Sequence, residues 1–117
     1  MSRLMLLSTE CVDLLPPLGS TDGQLGAAVA LVKLFTPDGS WTWYLTEHDP
    51  VERLAFGLVV GHEVELGYFS VDELEGVRGP LGLPIERDLY WRPRPLAVLA
   101  ECPDWLRRAG EGEEVGP

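Results

Sequence analysis

The chain has 117 residues, of which 45% are hydrophobic, and this fits one compact domain with its own core. Its 19 acidic and 9 basic side chains give a formal charge of −10, and such a surface repels the phosphates of a nucleic acid. No apolar run reaches the roughly 18 residues of a membrane span, and the N-terminal run is too short for a secretion signal, so we expect a cytoplasmic protein.

A short helix is predicted over residues 8–15, because Ser8 or Thr9 can cap it and apolar residues recur at helical spacing. Pro16 and Pro17 end this helix, since proline removes a backbone donor. A connector rich in Gly and Pro follows over residues 16–27.

Alternating and apolar stretches then predict an antiparallel meander. We expect its strands at 28–35, 41–47, 54–60 and 64–69. The first hairpin closes over 36–40, where Gly39 suits a type I turn with a glycine bulge. In the second strand, strict alternation places Trp41, Trp43, Leu45 and Glu47 on one face.

A capping box, Ser70 to Glu73, predicts a helix over 71–78, with Gly79 as a left-handed stop. A last edge strand is expected at 85–91 and short helical turns at 96–108. The fold class is α+β: a small, mostly antiparallel sheet of about 4–5 strands, with short helices near the N-terminus and at about 71–78. We expect one domain over 1–108 and a flexible acidic tail over 109–117.

The middle of the chain resembles a bacterial family known as domain of unknown function 2958. The resemblance spans residues of about 32–96 and rests on the stretches VKLFTPDG (32–39), TWYLTE (42–47), DP (49–50), FGL (56–58), ELGYFS (65–70), ELE (73–75) and RGPLGLPIERDL (78–89). It implies a small cytoplasmic protein, often carried by plasmids and phages, and it transfers no catalytic residue. Residues 103–117 look like an extension beyond the family pattern.

The two cysteines, Cys11 and Cys102, are expected as reduced thiols, with a disulfide between the chain ends as the alternative. The ligand spacing of a zinc site is missing, so we expect no metal and no cofactor. The chain has no Asn, one Gln, and eight Arg against one Lys, which indicates a thermophilic source or GC-rich coding.

Carboxylates, arginine and tryptophan supply the candidate binding residues, since Trp and Arg concentrate at interfaces. The candidates are Trp41, Trp43, Glu47, Asp49, Glu63, Glu65, Glu73, Glu86, Arg87 and Asp88. No catalytic residue is assigned. Arg87 is expected to pair with Glu65 or Glu73 in a structural network, because its planar guanidinium fits carboxylates. His48, between Glu47 and Asp49, is expected at a polar strand end.

The leading hypothesis is a non-enzymatic protein-interaction module that binds another protein. One version is a DNA mimic, associated with a mobile element, whose carboxylates meet a nucleic-acid-handling protein. The first alternative is a small metal-dependent hydrolase that uses Glu63, Glu65, Glu86 and Asp88. The second is a homo-oligomeric structural protein that associates through an exposed sheet edge or aromatic face.

The negative charge is unevenly distributed along the chain. Residues 36–75 hold nine acidic residues against Arg53 alone, whereas residues 76–108 hold six basic residues against four acidic ones. This favours an acidic face directed at a basic partner. Four arginines of the later stretch are expected to brace that face or to meet an acidic neighbour: Arg78, Arg87, Arg92 and Arg94.

Overall fold

The computed structural model describes residues 5–112 and shows the expected α+β fold. In chain order the elements are α1 (Thr9–Leu14), β1 (Val29–Ala30), β2 (Val32–Phe35), β3 (Thr42–Asp49), β4 (Leu54–Val60), β5 (Val64–Ser70), α2 (Val71–Gly76), β6 (Glu86–Arg87), β7 (Arg94–Pro95) and α3 (Asp104–Gly112). The main sheet is antiparallel, with strand order β5-β4-β3-β2-β6, and β1 pairs with β7 in a separate two-stranded sheet. No helix within the described range is long and apolar enough to cross a membrane.

Both predicted helix starts are confirmed. The side chain of Ser8 accepts a hydrogen bond from the backbone N–H of Cys11 at 3.2 Å, and that of Ser70 accepts one from Glu73 at 3.1 Å. These bonds satisfy amides that have no partner within the helix. The second helix ends at Gly76, earlier than predicted.

The apolar run at 28–35 forms two strands instead of one. Strands β1 and β2 are separated at Leu31, whose N–H donates to the carbonyl of Leu45 at 2.9 Å. Ala30 and Val32, two residues apart, belong to different core clusters. The chain therefore crosses from one face of the sheet to the other at Leu31, and strand periodicity does not reveal this because residues 28–32 are all apolar.

The two faces of the main sheet each carry a hydrophobic core. The face that holds Trp43 and Leu45, here called the α2 face, is covered by α1, α2 and Leu6. The face that holds Tyr44 and Leu58, here called the α3 face, is covered by 3₁₀ turns at Leu25–Ala27 and Leu96–Val98 and by α3. Each fully buried Leu or Ile contributes about 1.5–3 kcal/mol to folding.

The cysteines are both free and pack in different cores, Cys11 on the α2 face and Cys102 on the α3 face. The prediction of two unpaired thiols is therefore confirmed, and the alternative of a disulfide is wrong because the sheet separates the two side chains. Burial raises the pKa of the Cys102 thiol.

Two glycines differ from the prediction. Gly39 and Gly79 do not have the left-handed φ that was expected of a bulge and a helix stop. They are needed for close approach instead: a Cβ on Gly39 would lie 2.9 Å from the Thr36 hydroxyl, and one on Gly79 would overlap the Asp38 carboxylate. The hairpin is closed by the N–H of Thr36, which donates to the carbonyl of Trp41 at 3.0 Å.

After α2 the chain crosses the α2 face from the β5 edge to the β6 edge. Two backbone contacts shape this crossing segment (77–85): the Gly79 N–H donates to the Leu83 carbonyl at 2.8 Å, and Arg78 forms a bridge with Pro84. The predicted strand at 85–91 is confirmed as an edge but is only two residues long. The predicted tail over 109–117 begins inside α3, which continues to Gly112. Residues 113–117 of the predicted tail lie outside the described range.

Candidate functional site

Glu47 does not share a face with Trp43 and Leu45, as alternation predicted. The register between β3 and β4 shifts between Leu45 and Glu47, so this carboxylate turns to the α3 face and is only 1% exposed. It accepts hydrogen bonds from the backbone N–H groups of Gly19 and Thr21, both at 2.7 Å, and from the Thr21 hydroxyl. Glu47 therefore anchors the connector and is not available to a partner.

Asp49 also has an internal role. One of its carboxylate oxygens accepts backbone hydrogen bonds from Val51 at 3.0 Å and Glu52 at 3.3 Å, so it organises the turn between β3 and β4. Within this turn Arg53 has a φ of 54°, a left-handed conformation that is uncommon for a side chain of this size.

The Glu86, Arg87 and Asp88 cluster lies at the β6 edge. Arg87 donates to the carbonyl of Leu6 at 2.7 Å, and Asp88 lies 3.9 Å from the Lys33 ammonium and accepts from the N–H of Tyr90. The predicted pairing of Arg87 with Glu65 or Glu73 is wrong, because β5 and α2 follow the opposite edge of the sheet.

The arginines of the later stretch support the backbone more than they neutralise the acidic face. Arg78 donates to the carbonyls of Glu75 and Val77, and the guanidinium of Arg94 stacks 4.3 Å from the ring centre of Trp91. Among the described residues, Arg78, Arg87, Arg92 and Arg94 form no ion pair within 4.0 Å. Bracing of the acidic face by ion pairs is therefore not observed within residues 5–112, and the alternative, that these arginines meet an acidic neighbour, stays a prediction.

Arg53 neutralises the buried part of the acidic stretch. Its guanidinium binds both oxygens of Glu75, at 3.0 and 2.6 Å, and also pairs with Asp72. The Glu75 carboxylate is buried and accepts the N–H of Leu6 at 3.1 Å. The sequence analysis missed this cluster, although a single basic residue among nine acidic ones is a signal that could have found it.

His48 lies on the α2 face and is only 3% exposed, so the predicted polar strand end is wrong. Neither ring nitrogen has a hydrogen-bond partner among the described residues. Burial lowers the pKa of the His48 imidazole, and the nearby Arg53 lowers it further, while Asp49 opposes them. Burial and the charge of Arg53 therefore both favour the neutral form of the ring.

Trp41 and Trp43 form the wall of an open groove of about 460 Å³. Their ring centres lie 5.9 Å apart at an interplanar angle of 28°, and the His62 ring stands nearly perpendicular to Trp41 with the two ring centres 5.4 Å apart. The opposite wall is the start of the crossing segment, with Val77, Arg78 and Pro80. Trp43 is buried and Trp41 is half-buried, so both mainly complete the α2-face core.

Glu63, Glu65 and Glu73 remain as exposed carboxylates. They lie in the β4–β5 turn, on β5 and in the first turn of α2, and none forms an ion pair within the described part of the chain. No Lys or Arg occurs between Arg53 and Arg78. We call β5 together with these three carboxylates the acidic edge.

The predicted carboxylates do not form a common centre. Glu63 and Glu65 belong to the β5 end, whereas Glu86 and Asp88 belong to the β6 end, with three strands between them. Within residues 5–112 there is no group of three or more His, Cys, Asp or Glu side chains that could hold a metal ion. The acidic edge therefore holds three exposed predicted site residues that are spread along β5: Glu63 precedes the strand, Glu65 lies on it and Glu73 follows it in α2.

The fold and this surface define a small α+β domain with an antiparallel sheet covered on both faces and an acidic edge strand. The chain belongs to the family described as Protein of unknown function (DUF2958), which matches residues 16–111. The match extends into α3, so residues 103–111 are part of the family pattern and not an extension. Comparisons with curated proteins and with solved structures gave no match.

Proposed function

We propose that the protein is a non-enzymatic protein-interaction module that binds a basic partner through the acidic edge. The observation that carries this proposal is the separation of charge in the fold. Glu63, Glu65 and Glu73 are exposed and form no ion pair with a described residue, whereas the basic residues of 76–108 belong to the crossing segment and the elements that follow it. Unpaired charges on one side of a protein steer an oppositely charged partner to that side.

The hydrolase alternative has little support from the geometry. It requires Glu63, Glu65, Glu86 and Asp88 to act on one metal or substrate, and these residues divide between the two ends of the strand order. A pair of catalytic carboxylates must be close enough to act on the same bond. Glu86 and Asp88 line one groove, and Glu63 and Glu65 are not among the residues that line it.

The more specific form of the proposal concerns the partner. Proteins that handle nucleic acid present basic surfaces to phosphates, and exposed carboxylates can occupy the same positions. We propose such a protein as the partner, consistent with the plasmid and phage association that the family resemblance implies. In that case added DNA competes with this protein for the partner. If added DNA does not weaken binding, this form of the proposal is rejected, while the interaction with a basic partner is still supported.

The cytoplasm is the proposed location. Two free cysteines fit a reducing compartment, where thiols remain unpaired. Fractionation of cells that express the native gene tests the location, and recovery of the protein outside the cytoplasmic fraction would reject it.

The proposed function is tested by affinity capture from cell extract at low salt. Three forms are compared: the native protein, a variant with Glu63→Lys, Glu65→Lys and Glu73→Lys, and a control with Asp22→Lys, Glu86→Lys and Asp104→Lys. The two variants have the same net charge, and their six sites are all exposed. We expect one basic protein on the native and control forms, released by moderate salt and absent from the acidic-edge variant.

The same proteins on all three forms would contradict the proposal. Loss of binding in both variants would also contradict it, because total charge would then matter and the acidic edge would not. Circular dichroism of each variant confirms that the fold is retained.

A further inference from the structure

Strand β5 ends the main sheet with an unpaired edge. It has seven residues and pairs with β4 in unbroken register from Leu54–Ser70 to Val60–Val64. In an antiparallel strand, alternate residues direct their N–H and C=O groups away from the neighbour. Among the described residues, no backbone hydrogen bond closes this outer side of β5.

The opposite edge of the sheet is built differently. Strand β6 has two residues, and the residues beside it are tied inward: the Asp88 N–H donates to Lys33, and Arg87 holds the carbonyl of Leu6. Proteins commonly protect an edge by shortening, covering, bulging or charging it. On β5 only Glu65 serves this purpose, since the strand has no Pro, no Lys and no bulge.

The two faces of β5 differ in chemistry. On the α3 face, Leu66 lies beside Tyr68, whose ring packs 4.9 Å from Phe56 and is 61% exposed. On the α2 face Glu65 is exposed, and a Cβ placed on Gly67 would meet nothing within 4 Å. An added strand would therefore meet an apolar, aromatic surface on one side and a carboxylate with open space on the other.

We propose that the occupant of this edge is an extended basic segment of the partner protein, which adds to β5 as a further strand. Its side chains alternate, with Lys or Arg toward Glu65 and apolar residues toward Leu66 and Tyr68. This inference rests on the proposed function and specifies how the acidic edge binds. Backbone hydrogen bonds supply affinity in such strand addition, and alternate side chains supply specificity.

A second copy of the chain is a poorer occupant than a basic segment. Two copies would bring together molecules that each carry a charge of −10, with Glu65 of both in the same interface. Like charges at close range in a strand pair are destabilising. Opposite charge favours the partner segment for the same reason.

The experiment uses three synthetic probes with the full chain at low salt: an eight-residue peptide of alternating Val and Lys, the same peptide N-methylated along both edges, and a Val–Glu peptide. Amide hydrogen exchange over residues 64–70 is followed by NMR. We expect the Val–Lys peptide to slow exchange of alternate β5 amides, and we expect N-methylation to weaken binding by about tenfold or more, because it removes several backbone hydrogen bonds. The Val–Glu peptide should not bind.

Three results would overturn strand addition. The Val–Lys peptide could bind without slowing β5 exchange, or its N-methylated form could bind equally well; either result leaves electrostatic binding at the acidic edge, and hence the proposed function, intact. Failure of the Val–Lys peptide to bind at millimolar concentration also overturns it, and the capture experiment then decides the proposed function alone. Protection of β5 that rises with protein concentration and needs no peptide would identify a second copy as the occupant.

Discussion

The backbone of Gly57 in β4 lies directly against the carbonyl oxygen of Tyr44 in β3, so that a Cβ at Gly57 would overlap this oxygen. Gly67 in β5 is the cross-strand partner of Gly57, and a Cβ placed on Gly67 would meet nothing within 4 Å. Two glycines that face each other in one strand pair therefore have different roles. The first permits the close strand contact beside the β3 bulge, and the second leaves space at the acidic edge.

Gly57→Ala should lower the free energy of unfolding by about 2–4 kcal/mol, because the added methyl group can be accommodated only by a backbone shift. Gly67→Ala should leave stability unchanged or raise it by about 0.5 kcal/mol, since it restricts the unfolded chain without a clash. Urea unfolding of both variants measures the difference. Equal losses would show that the contact between Gly57 and Tyr44 is not the cause.

Glu47→Gln should destabilise the protein by about 2–3 kcal/mol. The replacement removes the charge that accepts bonds from Gly19 and Thr21, and it turns an amide N–H group toward one of these donors. Thermal unfolding measures the loss, and faster amide exchange at Gly19 and Thr21 locates it. Glu52→Gln is the control, because Glu52 is exposed and should change stability by less than about 0.5 kcal/mol.

Stability should fall as the pH drops below the ordinary pKa of histidine, 6.5, because the pKa of His48 is lowered in the folded state. Below this pH the unfolded chain binds a proton that the folded chain does not. The contribution of neutral His48 to the free energy of unfolding is therefore complete above pH 6.5, and it is lost as the pH falls to the lowered pKa of the folded state. One such group gives a slope of at most about 1.4 kcal/mol per pH unit.

His48→Leu should flatten this pH dependence and stay within about 1 kcal/mol of the native protein at pH 8, since the ring nitrogens have no hydrogen-bond partner to lose among residues 5–112. His62→Gln, at an exposed position, should retain the native slope. Unfolding at a series of pH values between 5 and 8 compares the three. If His48→Leu kept the native dependence of stability on pH, other titratable groups would be its cause.

Asp38→Ala should loosen the crossing segment. One oxygen of Asp38 accepts the N–H groups of Leu81 at 2.8 Å and Leu83 at 3.2 Å, and these bonds hold the segment to the β2–β3 turn. We expect a loss of about 1–2 kcal/mol and faster exchange of these two amides. Asp22→Ala, in the connector, is the control, and unchanged exchange at Leu81 would show that the segment is held by other contacts.

The sequence predicts the elements that depend on neighbouring residues, such as an apolar run or a helix cap. Strand β4 was predicted with its observed bounds from its apolar run, and α2 was predicted from Ser70 and the residues after it. The crossover at Leu31 and the bulge before Glu47 were not predicted. Both depend on contacts with distant residues, Leu45 for the first and Gly19 and Thr21 for the second.

The candidate site was predictable in part for the same reason. An excess of acidic residues over 36–75 pointed to an acidic surface, but only strand order separates the residues that form it. Glu47 and Glu75 are buried and bonded, whereas Glu65 is exposed on the edge strand. Alternation misplaced Glu47, because a one-residue bulge reverses the face of every residue after it. The burial of Glu75 depends on its contacts with Arg53 and Leu6, which are distant in the sequence.

The acidic edge is tested most directly by two charge reversals of equal size, Glu65→Lys on β5 and Glu86→Lys on β6. Both residues are exposed strand residues, and they lie at opposite edges of the same sheet. The measurement is the affinity of the Val–Lys peptide for each variant at low and at moderate salt. Glu65→Lys should weaken binding by about tenfold at low salt and reduce its salt dependence, while Glu86→Lys binds as the native protein does. Equal affinities of the two variants would contradict binding at the acidic edge.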